Sequence, residues 1–343
     1  IDKMGDKIGS RQTMEAASVP VVPGTTDGVN SIDEAIEAAR EIGYPIMLKA
    51  SSGGGGIGMI RCEDEQALSQ HFESVKNRAK AYFGDDKVFL EKYIANGRHI
   101  EVQIFGDTHG NIVHLFERNC SVQRRNQKVI EESPSPNFPD DARARLLQAA
   151  VDAAKAVNYR NAGTVEFIVD EQNQFYFLEM NTRLQVEHPV TEEVTGFDLV
   201  EWQLKVADGE VLPVKNQQEI LSTGHAMEFR VYAEDPKTFF PSPGTIQSLD
   251  WGSVEDVRID SGYEEGNAVT PYYDPMIAKV IIKAETRSTA IEKARKFFST
   301  VTLEGVKTNI PLFTTFLDAE VFMDGTYTTS ALPNWLESQK EEK

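Results

Sequence analysis

Residues 163–182 constrain this chain more than any other stretch. They read Gly-Thr-Val-Glu-Phe-Ile-Val-Asp, then Glu-Gln-Asn-Gln, then Phe-Tyr-Phe-Leu-Glu-Met-Asn-Thr. Both arms are rich in aromatic and β-branched residues, and the polar residues 171–174 suit a loop, so the stretch predicts a β-hairpin. Pairing Asp170 with Phe175 and Val169 with Tyr176 brings Glu166 opposite Glu179, and a period of two puts Asn181 on the face of Glu179. Like charges directly opposite on a ladder repel. A divalent cation removes the conflict: carboxylate and amide oxygens suit Mg²⁺, which completes its shell with phosphate and water. The other reading has two edge-strand glutamates splayed into solvent.

Composition narrows the class. At 343 residues the chain is long enough for two or more packed units. It is 40% hydrophobic and 26% charged, which is ordinary for a globular protein in water. No apolar run approaches the roughly 20 residues a spanning helix needs, so no membrane is expected. A formal net charge of -19 argues against a general nucleic-acid binder, which needs clustered Lys and Arg. The densest basic knot is Arg124, Arg125 and Lys128. Cys62 and Cys120 form neither a disulfide framework nor a zinc pattern, so a reducing cytoplasm is expected. The chain starts Ile-Asp-Lys-Met-Gly-Asp-Lys, without an initiating Met or an apolar signal region, which suggests a fragment or a processed chain.

Along the chain, residues 1–20 read as a helix carrying Lys7 and ending near Ser18. A second helix is expected over 31–42, where Ser31 with Glu34 makes a capping box and Gly43 the stop. Strand 45–50 carries Lys49 and leads into Ser-Ser-Gly-Gly-Gly-Gly-Ile-Gly at 51–58. Gly53, Gly55 and Gly58 have the spacing of a dinucleotide fingerprint, but residues 59–62 read as strand where that motif needs a helix. No Lys followed by Ser or Thr succeeds the glycines, so this is not a P-loop. A glycine loop between strands fits a flap over phosphates, or else a flexible linker. Helix 64–82, with Leu68, Phe72, Val75 and Ala79 on one stripe, and strand 87–93 follow. In strand 99–105, Ile100, Val102 and Ile104 share one face; His99, Glu101 and Gln103 share the other, read as a solvated side. Strand 112–117, a polar loop 118–128 and helix 140–157 precede the hairpin. Helix 198–207, β-rich segments from 225, helix 288–298 and a short C-terminal region complete the reading.

Several stretches together resemble biotin carboxylase, the ATP-grasp component of biotin-dependent acyl-CoA carboxylases. They are Met-Gly-Asp-Lys at 4–7, Lys-Ala-Ser-Ser-Gly-Gly-Gly-Gly at 49–56, Glu-Lys-Tyr-Ile at 91–94, Arg-His-Ile-Glu at 98–101 and Cys-Ser-Val-Gln-Arg-Arg at 120–125. The run Glu-Met-Asn-Thr-Arg-Leu-Gln-Val-Glu-His-Pro-Val-Thr-Glu at 179–192 is the most specific, and Glu-Phe-Arg-Val-Tyr-Ala-Glu-Asp-Pro at 228–236 also fits. The resemblance implies an α+β ATP-grasp fold. It divides the chain into a linker helix at 1–20, a lid at 21–93, a body with the metal and bicarbonate site at 94–223, and a C-terminal domain at 224–343. The family carries a Rossmann-like domain ahead of this region, so the chain is expected to start after it. Asn126 stands where family members usually have His, and Ile57 where many have Arg.

The same resemblance assigns roles. Lys7 and Lys49 would meet phosphates, with Gly54, Gly55 and Gly56 as the closing flap. Glu91, Lys92 and Ile94 would form the adenine hinge, with His99 and Gln123 near ribose and phosphates. Glu166, Glu179 and Asn181 would hold Mg²⁺ or Mn²⁺, as the hairpin count suggests. Glu187 would take the proton of bicarbonate as it attacks the γ-phosphate of ATP, since bicarbonate is a poor nucleophile. Arg183, Gln185 and Val186 would orient that anion and Lys128 would assist. Arg230 would stabilise the enolate-like form of biotin, the carboxyl acceptor. Implied partners are a biotin carboxyl carrier protein, a carboxyltransferase subunit or domain, and a second copy in a homodimer; acetyl-CoA carboxylation and fatty acid synthesis are one setting the family suggests, and the sequence leaves the downstream acceptor, an acyl-CoA or a keto acid, open. The alternatives are another ATP-grasp carboxylate-amine ligase, or an inactive nucleotide-binding fragment.

Overall fold

A computed structural model describes residues 2–52, 58–252 and 254–341. The chain divides into two compact units. The first comprises Ile1–His114, Pro139–Gln185 and Trp202–Pro213; the second comprises Leu115–Phe138, Val186–Glu201 and Val214–Lys343. Gly54, Gly55, Gly56 and Ile57, the expected flap, lie outside the described residues. Among the described residues no helix is long and apolar enough to cross a membrane.

The first unit opens with helix Asp2–Gly5 and helix Lys7–Ala16, where one helix was expected. Asp6 breaks it: its backbone is extended and its carboxylate accepts from Gly9 N at 3.0 Å as an N-cap, which also places Lys7 in the first turn of the second helix. Next comes an antiparallel sheet with Ile46–Ala50 between Met59–Cys62 and Val88–Lys92. Helices Ile32–Ile42 and Glu65–Phe83 bury Ala35, Ala39, Leu68 and Phe72 with Leu48 and Leu90 of this sheet. Ser31 caps the first from Glu34 N at 3.2 Å, but Glu34 reaches back to Asn30 N, at 2.9 Å, one residue before the expected partner.

The same unit contains the antiparallel run Arg98–Gly106, Asn161–Val169 and Phe175–Asn181. Helix Asp140–Ala156 buries Leu146, Ala150 and Ala154. Gly163 is required by its neighbour, because a Cβ there would lie 2.5 Å from the Tyr159 ring. The hairpin forms, with a different ladder from the expected one. Val169 faces Phe175 and Ile168 faces Tyr176, one residue out of the counted register. A β-bulge between Glu166 and Phe167 then absorbs the extra residue, so Glu166 does face Glu179.

In the second unit, Gln127–Ser133, His225–Tyr232, Met276–Ala284 and Val257–Ser261 pair antiparallel in that order, with most of strand Ile112–Arg124 on the other side of Gln127–Ser133. The loop expected at 118–128 is therefore strand, turning only at Arg125 and Asn126, whose φ values are +52° and +64°. Its polar side chains misled the reading because partners satisfy them inside the fold. Arg118 Nη1 donates to Thr191 Oγ1 at 3.0 Å and Ser121 Oγ to Asn119 Oδ1 at 2.6 Å, all four residues being buried.

Phe229, Phe298 and Phe313 form one aromatic core, with ring centroids 5.0 to 5.3 Å apart. The short C-terminal region expected is three helices, Ile310–Phe316, Glu320–Met323 and Ala331–Glu341, joined to that core through Phe316, Phe322 and Leu332. Buried Glu132 accepts from Arg287 Nε at 2.8 Å, from His225 and from the Tyr327 hydroxyl.

Candidate active site

In the first unit, strand pairing assembles a row of carboxylates. Glu101 faces Glu166, which faces Glu179, so three glutamates from three strands stand side by side. Gln103, Thr164 and Asn181 form the next row. Glu101 and Gln103 are fully buried, which corrects the expectation that their face is solvated. Period-two alternation shows only that a strand has two unlike faces; here both are covered.

Glu166 is the hub. Its Oε1 accepts from Asn181 Nδ2 at 2.9 Å and Gln185 Nε2 at 2.8 Å, and its Oε2 lies 3.0 Å from His99 Nε2. Lys7 Nζ is 3.8 Å from Glu179 Oε2. Burial pushes the Lys7 amine below its ordinary range, against the pull of Glu179. One atom each of His99, Glu101 and Glu166 lies within 4.8 Å of the others. Three carboxylates facing one lysine and one imidazole leave an excess of negative charge. Carboxylates with an amide oxygen are hard donors, so the set fits Mg²⁺.

Nearby in this unit, Glu91 is buried and holds both Lys49 and Arg11, the latter at 3.1 Å. Lys92 Nζ instead donates to the carbonyls of Gly43 and Tyr44, at 2.8 and 3.0 Å, closing the end of helix Ile32–Ile42. Ile94 is half-buried, and Arg183 is exposed, with Nη1 on the Leu184 carbonyl at 3.2 Å.

The second unit holds a charged cluster of its own. Helix His188–Thr195 starts at Glu187, whose carboxylate is 2% exposed and clamped by Lys128 Nζ at 2.5 Å and Arg230 Nη2 at 2.9 Å. Burial alone would raise its pKa, but Lys128, Arg230 and Arg118 outweigh it and hold Glu187 well below the usual carboxylate range. Arg230 Nε donates to Glu131 at 2.6 Å. Burial lowers the Arg230 pKa, yet Glu131 and Glu187 raise it further, so the guanidinium stays charged. Lys279 Nζ donates to the Val186 carbonyl at 3.0 Å. Gln123 Nε2 is turned inward to Cys120 O at 2.8 Å. The run 183–188 is thus split: Arg183 and Gln185 belong to the first unit, Val186 and Glu187 to the second.

Sequence reasoning did not single out Glu101, Glu131 or Arg11. Glu101 stood in a polar row whose meaning depends on which strand lies beside it. Glu131 carried no signal beyond its place after the basic knot.

A carboxylate row, lysines at hand and a mixed helix-sheet architecture define a nucleotide-dependent ligase of the ATP-grasp class. Consistent with this, residues 6–215 match the carbamoyl-phosphate synthase L chain ATP-binding domain and 228–334 match the biotin carboxylase C-terminal domain. The chain belongs to the biotin carboxylase family. It is 55% identical over 336 residues to biotin carboxylase 2 of Bacillus subtilis, covering 98% of this chain and 76% of that protein. It is 52% identical to the mitochondrial methylcrotonoyl-CoA carboxylase subunit alpha of Arabidopsis thaliana, covering 90% of this chain and 42% of that one. The Campylobacter jejuni biotin carboxylase in complex with β-γ-ATP superposes with a TM-score of 0.95 at 44% identity, covering 97% of this chain and 74% of that one. The biotin carboxylase domain dimer of Hydrogenobacter thermophilus 2-oxoglutarate carboxylase, solved with MgADP, ADP and bicarbonate, gives 0.94 at 45% identity, with the same coverage.

Proposed function

We propose that this chain carboxylates biotin, using ATP and bicarbonate and passing through carboxyphosphate. The observation that supports this most is the Lys128–Glu187–Arg230 clamp, a base held ionised between two cations. In the resting clamp Glu187 is a weak base. An arriving anion competes for Lys128 and Arg230, and as they turn to it the Glu187 pKa rises toward the range where it accepts a proton. A bicarbonate oxygen then bonds to the γ-phosphorus, the bond to the β-phosphate oxygen breaks, and the bicarbonate proton passes to Glu187. Lys7 and Lys49 are proposed to balance charge on the transferring phosphoryl group.

Carboxyphosphate splits into CO₂ and phosphate. The phosphate takes the ureido proton of biotin, and the nitrogen bonds to CO₂ while Arg230 stabilises the enolate-like oxygen. Glu166, Glu179 and Asn181 would hold Mg²⁺, which neutralises phosphate charge when bound. Roles for Arg183, Gln185 and Val186 in orienting bicarbonate, for Glu91, Lys92, Ile94, His99 and Gln123 at the nucleotide, and for Gly54, Gly55 and Gly56 as a flap rest on their place in the family's motifs. So does the division into a lid at 21–93, a body at 94–223 and a C-terminal domain at 224–343.

The proposed partners are a biotin carboxyl carrier protein, a carboxyltransferase and a second copy of the chain, in the cytoplasm. Acetyl-CoA, in fatty acid synthesis, is the first reading for the downstream acceptor. Similarity to methylcrotonoyl-CoA carboxylase α subunits favours a branched acyl-CoA as the second. The decisive assay is Mg-ATP hydrolysis by the full-length chain at fixed bicarbonate, with and without biotin. Biotin-stimulated turnover that Glu187→Gln abolishes supports the proposal; turnover indifferent to biotin points to another ATP-grasp ligase.

A further inference from the structure

Beneath Arg230 lies a pair of acids that the mechanism above does not use. Glu131 and Glu228 stand directly opposite on strands Gln127–Ser133 and His225–Tyr232, and both are fully buried. Arg230, two residues on from Glu228, shares their face. Its Nε is 2.6 Å from Glu131 Oε1, but Glu131 Oε2 and both Glu228 oxygens are buried without a hydrogen-bond partner. Other donors on this side are engaged elsewhere. Lys128 is on Glu187, Arg118 is on Thr191, and Lys279, opposite Arg230, is on Val186 O at 3.0 Å and Asp260 at 3.4 Å.

The missing donors are what matter. An ionised Glu228 would be a buried anion with no hydrogen bond to either oxygen, directly opposite a second carboxylate. Protonation removes that charge at far smaller cost than burying it alone. We propose that Glu131 is the positioning residue of the Arg230 guanidinium, and that the Glu131–Glu228 pair carries one proton, so that a single carboxylate anchors Arg230. Electrostatics point the same way: burial, then the neighbouring Glu131, raises the Glu228 pKa far above the usual carboxylate range, while burial raises Glu131 only to about 7 because Arg230 pulls it back. Glu131 Oε1 holds Nε and also lies 2.6 Å from Nη2, which at rest bridges Glu131 and Glu187; with Nε still anchored, Arg230 can turn Nη2 to a substrate without losing its own place. This part rests on the biotin-carboxylating reading; the shared proton does not.

Two measurements on the full-length protein separate them. Infrared difference spectra at pH 7 of wild type against Glu228→Gln should show the carbonyl stretch of a buried protonated carboxylic acid, lost in the variant. Absence of that band in wild type, or its survival in the variant, overturns the shared proton whether or not the protein carboxylates biotin. Glu131→Gln should raise the KM for biotin roughly tenfold or more, through misplacement of Arg230, and leave the KM for MgATP unchanged. An unchanged biotin KM, or equal changes in both constants, overturns the positioning role. Should Glu131→Gln fold poorly, Glu131→Asp keeps the charge, shortens its reach and carries the same expectation.

Discussion

Glu187 shows how one residue's chemistry is set by what it touches. Replacing it with Gln keeps its shape and packing but removes both the base and the counter-charge to Lys128 and Arg230. Biotin-stimulated ATP hydrolysis should fall by about 10²- to 10⁴-fold, the usual worth of a positioned general base, with the KM for MgATP little changed. Steady-state kinetics at saturating bicarbonate read both. Glu166 makes a different prediction, because its two oxygens gather Asn181, Gln185 and His99. Glu166→Gln replaces a carboxylate oxygen with a donor that faces other donors. The Mg²⁺ concentration for half-maximal ATP hydrolysis should rise at least tenfold, whereas Glu187→Gln should leave it in place. Equal Mg²⁺ dependence in the two variants would place the cation elsewhere.

At the scale of elements, the limits of sequence reading are specific. The hairpin, the capped helices 32–42 and 65–83 and the Glu166–Glu179 pairing were legible, because propensity, capping and period two act over a few residues. The pairing was reached through a wrong ladder that a bulge happened to correct, since nothing in Phe-Tyr-Phe-Leu-Glu marks where the extra residue sits. Glu101 beside Glu166, and Glu131 beside Glu228, were not legible: register between strands far apart in sequence comes from packing. Gly163 makes that packing testable. Valine there would force its Cβ toward the Tyr159 ring at 2.5 Å and should cost about 1–3 kcal/mol, the usual penalty of overpacking. Urea unfolding should show a lower midpoint, and the loss should shrink when Tyr159→Leu is made with it, because adjacent sites are not additive. Additive losses would mean that Tyr159 is not what excludes the side chain.

For the whole molecule, each unit carries its own acid-labile group. Burial lowers the pKa of His114, in the first unit, to about 4. Its unfolded form titrates near 6.5, so between these values the unfolded chain binds a proton that the folded chain refuses, and stability falls as pH drops. Glu132, in the second unit, works in the same direction lower down. Burial raises its pKa, but His225 and Arg287 outweigh that and bring it to about 2, so its contribution is complete above 4.5 and is lost as pH falls toward 2. Hydrogen exchange read peptide by peptide should therefore show the first unit loosening between pH 6.5 and 4 and the Glu132 neighbourhood only below 4.5. Glu132→Gln should cost about 3–5 kcal/mol at neutral pH, since it breaks a buried charged cluster, and should flatten the pH dependence below 4.5. His114→Asn should flatten only the upper step. If both steps survive in both variants, the acid response belongs to other titrating groups and, below the isoelectric point near 4.8, to the self-repulsion of a chain that has become net positive, not to these two buried sites.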